Sequence, residues 1–420
     1  MSEKDPMNVN ERRKYLDKMW GIYRQASKSE KGRLLDEMEV VTGLHRKSIL
    51  RILKGRLSRK KRTRERGREY GVDVDDAVRV IGRSLDYPCA ERLQPNLVWM
   101  AEHLQRLGEM RLREETLDKL KRISFPTVKR ILKRVGRSEP KLAQRKPPRP
   151  QQAGLRKQYP MRKIAWEQAE VGHFEVDLVH HGGETGAGEY IHTLQMVDVA
   201  TGWSELVAIF GRSFRVMVDG LDFILQRLPF PVREIHPDNG SEFFNHFLLR
   251  YWQIHLPGVQ ISRSRPYQKN DNRFVEENNG SLVRAYLGHS RLDTQAHLKV
   301  MRPLYEQLWL YHNFFQPVMH LQAKQYMGDL QYRRRYDRAI PPLDRLLEKK
   351  VLSPGVQTQL ETLRSCTNPL RLREQIDTSI YQLMALPLLD RSETVNIFET
   401  LLKEADRSVT LSSDLTIPVR

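Results

Sequence analysis

Cysteine is almost absent from this 420-residue chain, which has two, Cys89 and Cys366. Two cysteines far apart in the sequence exclude a disulfide-stapled scaffold and a Cys-rich zinc module, and they suit a reducing cytosol. No window approaches the roughly 18–20 consecutive apolar residues that a membrane helix needs, and the first residues lack the apolar segment of a secretory signal. We therefore expect a cytoplasmic protein with no membrane partner.

Acidic residues are scarce in two segments of the N-terminal third. Residues 44–68 and residues 119–149 each contain 12 Lys or Arg against a single Glu. Together these segments carry a formal charge of +22, more than the +19 of the whole chain, so the remainder is slightly acidic. A basic excess confined in this way predicts a polyanion partner, which we interpret as nucleic acid. The alternative is a pair of solvated basic loops.

Helical periodicity in the same third predicts two helix-turn-helix units. After a Thr42-Gly43 turn, residues 44–54 place Ile49 and Leu53 on one face and basic side chains on the other, and residues 124–135 repeat this plan. The alternative is a helical bundle with a solvated basic face. The positions expected to contact DNA are Arg46, Lys47, Arg51, Lys54, Arg59, Lys60, Lys61 and Arg62 in the first unit and Lys129, Arg130, Lys133 and Arg134 in the second.

The patterns beyond this third predict an α/β domain. Three successive strands, near residues 173–178, 190–199 and 204–210, precede a helix over 214–227, a strand over 232–236, a helix over 241–253, a strand over 259–263 and a helix over 274–287. This order is typical of a mixed α/β core. The predicted domains are a helix-turn-helix domain (1–68), a second one (69–136), a basic Pro-rich linker (137–165), the α/β catalytic core (166–290) and a mainly helical C-terminal region (291–420).

Three acids stand where elements of the predicted core begin or end. Asp177 lies on the first strand, Asp238 directly follows the strand 232–236, and Glu276 lies near the start of the helix 274–287. A strand, a strand end and a helix start can converge at one edge of a sheet. Mg²⁺ takes oxygen ligands and binds through a few carboxylates plus substrate phosphates, and two such ions can assist an in-line phosphoryl displacement.

The motifs around these acids resemble a known family. HPDNGSEF (236–243) is similar to the aspartate motif of retroviral integrases and insertion-sequence transposases, and SRPYQKNDNRFVEEN (264–278) to their Pro-Tyr…Val-Glu motif. DVATGW (198–203) and NFFQP (313–317) are similar to further segments of bacterial transposases of this type, so the resemblance covers about residues 10–345. It implies a multidomain protein with an RNase H-like catalytic core behind N-terminal helix-turn-helix units.

The resemblance also implies an activity and a ligand set. Asp177, Asp238 and Glu276 are expected to be catalytic and to hold two Mg²⁺ ions, which Mn²⁺ can replace. The activity is that of a DNA transposase, which cuts at the terminal inverted repeats of a mobile element and transfers the 3′ end to target DNA. The implied partners are double-stranded DNA and further copies of the chain, in a dimer or larger complex associated with the bacterial nucleoid. Whether an accessory protein also takes part is left open.

Neighbouring residues are given other roles. Asp198 is expected to cap a turn and Asp271 to hydrogen-bond within its loop. Glu175 shares the strand face of Asp177 and is expected to be a solvated or salt-bridged residue; the alternative is a supporting role beside the metal ligands. Related bacterial sequences often place Lys after the catalytic Glu, where this chain has Asn278 and Asn279. The DNA contacts expected near the core are therefore Arg263, Arg265 and Lys269, which precede Glu276.

The C-terminal region offers fewer signals. Its aromatic residues are expected to be core side chains, and Arg333, Arg334 and Arg335 either contact DNA or form a solvated face. Two other functions remain open at this point: a DNA-binding regulator derived from a transposase, and a structure-specific nuclease without strand transfer.

Overall fold

The computed structural model describes residues 7–55, 69–135, 164, 170–184, 186–238, 240, 242–243, 246–265, 271–326, 332–389 and 395–402. The chain divides into two compact units, Met1–Glu69 and Tyr70–Arg420. Apart from Ile164, the predicted linker over 137–165 lies outside the described residues.

The first unit is built from helices with well-formed ends. These are α1 (Val9–Gln25), α2 (Lys28–Thr42) and α3 (Arg46–Lys54). Asn8 and Ser27 form capping boxes that satisfy the first N–H groups of α1 and α2. Gly43 ends α2 with φ of 64°, a left-handed conformation that glycine adopts without steric cost. Ile49 and Leu53 are buried against Leu16 and Met38, as predicted, and the assignment as a helix-turn-helix unit stays a prediction.

The second unit opens with helices that share its main core. They are α4 (Val72–Ser84), α5 (Ala90–Leu93), α6 (Leu97–Arg106), α7 (Glu114–Arg122) and α8 (Phe125–Val135). Hydrogen bonds connect them to the C-terminal region: the Tyr311 hydroxyl donates to the Ser84 carbonyl at 3.0 Å, and the Asn96 amide donates to the Ala339 carbonyl at 3.0 Å. Residues 70–135 therefore belong to the same compact unit as the α/β core, and their role in DNA binding stays a prediction.

A mixed sheet forms the centre of the second unit. Among the described residues it contains the strands β1 (His173–His180), β2 (Ile191–Asp198), β3 (Ser204–Phe210), β4 (Glu234–Pro237) and β5 (Gln260–Ile261). Their spatial order is β3-β2-β1-β4-β5. The pairs β1–β2 and β2–β3 are antiparallel, whereas β1–β4 and β4–β5 are parallel. The predicted α/β class is confirmed, and the sheet is compatible with an RNase H-like core.

Helices connect and cover this sheet. They are α9 (Phe214–Arg227), α10 (His246–His255), α11 (Arg273–Asn278), a π-helical turn (Asn279–Arg284), α12 (Ala285–Leu287) and α13 (Gln295–Phe315). The predicted helix over 274–287 is thus interrupted by a π-helical turn. The aromatic residues expected to be core side chains are all buried, which confirms that expectation for Tyr305, Trp309, Tyr311, Phe314 and Phe315.

The C-terminal region is mainly helical, with α14 (Pro342–Lys349), α15 (Pro354–Cys366) and α16 (Pro369–Met384). It also contains an antiparallel hairpin of β6 (Leu321–Tyr326) and β7 (Tyr332–Tyr336), which the sequence analysis misses. Arg333, Arg334 and Arg335 lie on β7 and are exposed, so this strand lacks the apolar alternation that marks a half-buried strand. None of the helices in the described part of the chain combines the length and apolar character that a membrane crossing requires.

A buried ionic network connects β3 to the helices above it. The Glu205 carboxylate accepts hydrogen bonds from the indole N–H groups of Trp203 and Trp309, each at 2.8 Å. It also accepts one from Arg227 Nε at 2.6 Å. The side chains of Arg227 and Glu205 are 3% and 0% exposed. Arg227 also pairs with Glu306 at 2.6 Å, whereas Arg227 is the cation that compensates the buried Glu205 carboxylate. Breaking a buried pair by removing one partner leaves an uncompensated charge.

We therefore expect Arg227→Ala to lower the free energy of unfolding by about 3–5 kcal/mol, because Glu205 would remain buried without a cation. Arg79→Ala is the matched control, since Arg79 and its partner Asp76 are both more than half exposed and such a pair contributes about 0–1 kcal/mol. Chemical denaturation of both variants measures the difference. Equal losses would contradict the structural role given to the buried pair.

Candidate functional site

The register of the parallel strands brings two of the predicted acids to neighbouring positions. β1 and β4 are paired from His173 opposite Glu234 to Val176 opposite Pro237. One residue further along each chain stand Asp177 and Asp238. Paired strands lie about 4.8 Å apart, so the two acids occupy adjacent positions on neighbouring strands where β4 ends. This is the convergence that the sequence analysis predicts for Asp177 and Asp238.

Asp177 is held in place by hydrogen bonds at both carboxylate oxygens. Oδ1 accepts the N–H of Leu178 at 2.8 Å, and Oδ2 accepts the side-chain amide of Asn279. Burial raises the pKa of the Asp177 carboxyl, the two hydrogen bonds lower it, and the carboxylate of Glu242 raises it again. The ionised form of Asp177 is thus disfavoured mainly by the loss of its hydration on burial and, to a smaller extent, by the negative charge of Glu242.

Asp238 and Glu242 lie side by side around a glycine. Asp238 Oδ1 accepts the N–H of Gly240 at 2.7 Å. A Cβ atom on Gly240 would lie 2.9 Å from this same oxygen and 2.7 Å from Glu242 Oε1, so both carboxylates occupy the space that any larger residue would need. Glu242 Oε2 also lies 4.0 Å from the guanidinium of Arg212, which compensates part of the charge. Glu242 is a site residue that the sequence analysis misses, although it stands inside the quoted aspartate motif.

Glu276 lies on α11 with its side chain exposed. Asn279, which donates to Asp177, follows three residues later, and residues three apart share a helix face. The Glu276 charge is also close enough to raise the pKa of Glu175. Glu276 therefore lies on the side of the helix that faces the sheet edge, and its role as a metal ligand stays a prediction.

Glu175 connects that helix to β1. Its Oε2 atom accepts the backbone N–H groups of Phe274 at 2.7 Å and Val275 at 3.0 Å, which have no carbonyl partner within the first turn of α11. Burial raises the pKa of the Glu175 carboxyl to about 8, against these two hydrogen bonds. Glu175 is 1% exposed, so the expectation of a solvated residue was wrong, and the nearby Arg273 charge opposes the rise of its pKa. The alternation of the strand shows on which face Glu175 lies, but it does not show that the first turn of α11 packs against that face.

The two structural acids behave as expected. Asp198 accepts the N–H groups of Gly172 at 2.7 Å and Thr201 at 2.9 Å, together with the Thr201 hydroxyl, which confirms its role in capping the turn. Burial raises its pKa to about 6. Asp271 accepts three hydrogen bonds from the backbone and guanidinium of Arg265, which confirms its role within the loop.

Two of the three basic residues expected to contact DNA near the core lie within the described residues, and they differ in exposure. Arg263 is 5% exposed, which does not fit a direct contact with a phosphate. The Arg265 guanidinium is paired with Asp271 at 2.8 Å. Lys269 lies outside the described residues.

The basic positions of the N-terminal helices differ in how they are presented. Arg46 is paired with Asp36, and Arg134 with Asp75, so these two guanidinium groups are partly neutralised. Arg59, Lys60, Lys61 and Arg62 lie outside the described residues. The remaining predicted contacts are exposed, on α3 in the first unit and on α8 in the second, and are Lys47, Arg51, Lys54, Lys129, Arg130 and Lys133.

The acids at the sheet edge have the donor chemistry of a magnesium site, since carboxylate oxygens are the protein ligands that Mg²⁺ prefers. Within the described residues, however, no group of three or more His, Cys, Asp or Glu side chains is close enough to hold a metal ion. The acids therefore share one edge of the sheet without forming a complete ligand set in this structure.

Comparison with known proteins finds an extended relative. The chain is 32% identical over 328 residues to the uncharacterized protein y4rM of Sinorhizobium fredii (strain NBRC 101917 / NGR234), across 77% of this chain and 91% of that protein. No family model matches the chain. Among solved structures, the catalytic core domain of BIV integrase aligns with a TM-score of 0.22 and 18% identity, over 26% of this chain and 66% of that one.

Proposed function

The chain belongs to the family of the y4rM protein of Sinorhizobium fredii, and we propose that it is a DNA transposase that cuts the ends of a mobile element and joins them to target DNA. The observation that carries this proposal is the set of carboxylates at the end of β4. Asp177 and Asp238 directly follow paired residues of two parallel strands, and Glu242 lies beside Asp238. The helix that carries Glu276 is hydrogen-bonded to β1 through Glu175.

The role of the acids follows from their charge. Ionised carboxylates so close together repel one another and also repel the phosphates of DNA, unless cations lie between them. Asp177, Asp238 and Glu276 would hold two Mg²⁺ ions, or Mn²⁺ in their place, with Glu242 beside them. When bound, such ions stabilise the charge that develops on the attacking and leaving oxygens of a phosphodiester. This arrangement requires the exposed Glu276 side chain to turn toward Asp177 as DNA and metal bind.

The protein's own groups supply the positioning. Glu175 fixes the first turn of α11 against β1, and Asn279, in the π-helical turn that follows α11, orients the Asp177 carboxylate. Lys47, Arg51 and Lys54 on α3 would bind the phosphates of the element ends, as would the basic face of α8, since lysine and arginine contacts supply most non-specific affinity for DNA. We propose that at least two copies of the chain act together to join the two ends, as in the transposases that the sequence resembles.

We expect Asp238→Asn to keep DNA binding and to lower the cleavage rate at least about 100-fold, the scale on which removing one transition-state-stabilising group acts. The substrate is labelled DNA that carries the inverted repeats flanking the coding sequence, incubated with a plasmid target and Mg²⁺. Asp76→Asn, the same chemical change at an exposed ion pair of α4, is the control and should cleave like the wild type.

The products of the wild-type reaction decide between the functions. Labelled ends joined to the plasmid support a transposase, nicks without joining indicate a nuclease, and a mobility shift without cleavage indicates a regulator. Cleavage by Asp238→Asn at the wild-type rate would contradict the proposed active site.

A second variant tests the carboxylate arrangement without removing a charge. Gly240→Ala would place a methyl group within 2.9 Å of the Asp238 and Glu242 carboxylate oxygens, and both flexible side chains would have to move. We expect DNA binding and thermal stability to persist and cleavage to fall about 100-fold, as a displacement of about 1 Å can cause. Gly355→Ala is the control, because nothing lies within 4 Å of a Cβ there. If the two alanine variants cleave equally well, the space around Gly240 does not position the acids.

A further inference from the structure

A pocket of about 280 Å³ lies on the face of α11 that turns away from the acids. Arg273, Phe274, Glu277, Asn278 and Ser281 line it, and this spacing describes one side of a helix. Positions 276 and 279 fall on the opposite side. The same short helical segment thus presents Glu276 to the sheet edge and a concave surface behind it.

The charge of the pocket is positive. Among the described residues, its lining includes the guanidinium groups of Arg92, Arg273 and Arg334 and the carboxylate of Glu277, which lies 4.0 Å from Arg92. His312 and His320 also line the pocket, but burial lowers the pKa of each to about 4, so both are neutral at pH 7. Within the described lining, the three arginines therefore outweigh the carboxylate of Glu277, which favours a ligand with a negative group.

The remaining surface suits a flat, apolar group. The Phe274 ring lines the pocket with the guanidinium of Arg273 stacked at 4.1 Å from its centroid. Leu282 and Tyr286 form buried parts of the lining. Arginine and aromatic planes are the surfaces on which unstacked bases rest, and a carboxylate such as that of Glu277 accepts hydrogen bonds from the amino group of a base. Volume, charge and aromatic lining together match a single nucleotide.

We propose that this pocket receives one nucleotide unstacked from the DNA held at the acids, with its base beside Phe274 and its phosphate toward Arg92 and Arg334. The inference rests on the proposed function, because it takes the DNA at the sheet edge as the source of the nucleotide. Unstacking a base costs free energy, and the cost is lowest where the DNA is already unpaired. The pocket would therefore help to open the end of the element next to the scissile phosphate.

The experiment uses the full-length protein and end DNA in which 2-aminopurine replaces one base at a time near the cleavage site. This analogue becomes more fluorescent when it leaves the base stack. The wild type should give a several-fold rise at one position. Arg334→Glu should lose most of that rise, because the substitution reverses a charge at the rim of the pocket, where Arg334 is exposed.

Arg333→Glu is the matched control. Arg333 is also exposed and lies next to Arg334 on β7, but successive side chains of a strand point to opposite faces, and Arg333 does not line the pocket. The charge change is identical, so Arg333→Glu should keep the full rise. Equal behaviour of the two variants, or no rise at any position in the wild type, would overturn the inference.

Two further outcomes separate the possible failures. Cleavage of the end DNA without any fluorescence rise would overturn the role of the pocket and leave the proposed function intact. A fluorescence rise without cleavage would contradict the transposase activity and leave the binding of an unstacked base in the pocket. Free dAMP and dCMP are titrated in parallel, because a free nucleotide has the same chemical groups as a nucleotide of the bound DNA. Saturable binding of a free nucleotide to the wild type, with no response from 2-aminopurine DNA, would overturn the assignment to DNA.

Discussion

Repulsion between carboxylates at the end of β4 is the constraint on which this site depends. Asp177 loses water on burial, Glu242 adds a like charge near it, and Asp238 shares the space around Gly240 with Glu242. A fold tolerates such a cluster when cations or protons compensate it. Arg212 supplies part of that compensation from 4.0 Å, and under the proposed function bound metal ions would supply the rest.

The surrounding structure holds this unfavourable arrangement in place. The parallel pairing of β1 with β4 sets Asp177 and Asp238 at matching positions, and Glu175 attaches the helix of Glu276 by accepting its first free N–H groups. At the β3 edge of the sheet, the ionic network of Glu205 and Arg227 connects β3 to α13 through the indole of Trp309. Each of these contacts lies between elements far apart in sequence, so the geometry of the acids depends on the complete fold.

Much of this architecture could be predicted from local patterns. The strand over 204–210 and the helix over 214–227 have the predicted bounds, because alternation and helical periodicity are strong there. Asp177 and Asp238 could be found because a strand and the residue after a strand are visible in the sequence. Glu175, Glu242 and Asn279 could not, because their roles arise from partners about 60 to 100 residues away or across a turn. The exposed hairpin of β6 and β7 was missed for a similar reason, since few of its side chains are buried.

The most direct test of this account measures magnesium binding through stability, without reference to catalysis. A ligand that binds the folded state raises the free energy of unfolding, by about 2.7 kcal/mol at a concentration one hundred times its dissociation constant. We predict that Mg²⁺ raises the melting temperature of the wild type and of Asp76→Asn, and that it has no such effect on the double variant Asp177→Asn with Asp238→Asn. An equal rise in all three proteins, or no rise in any, would contradict the claim that these acids are held together by metal ions.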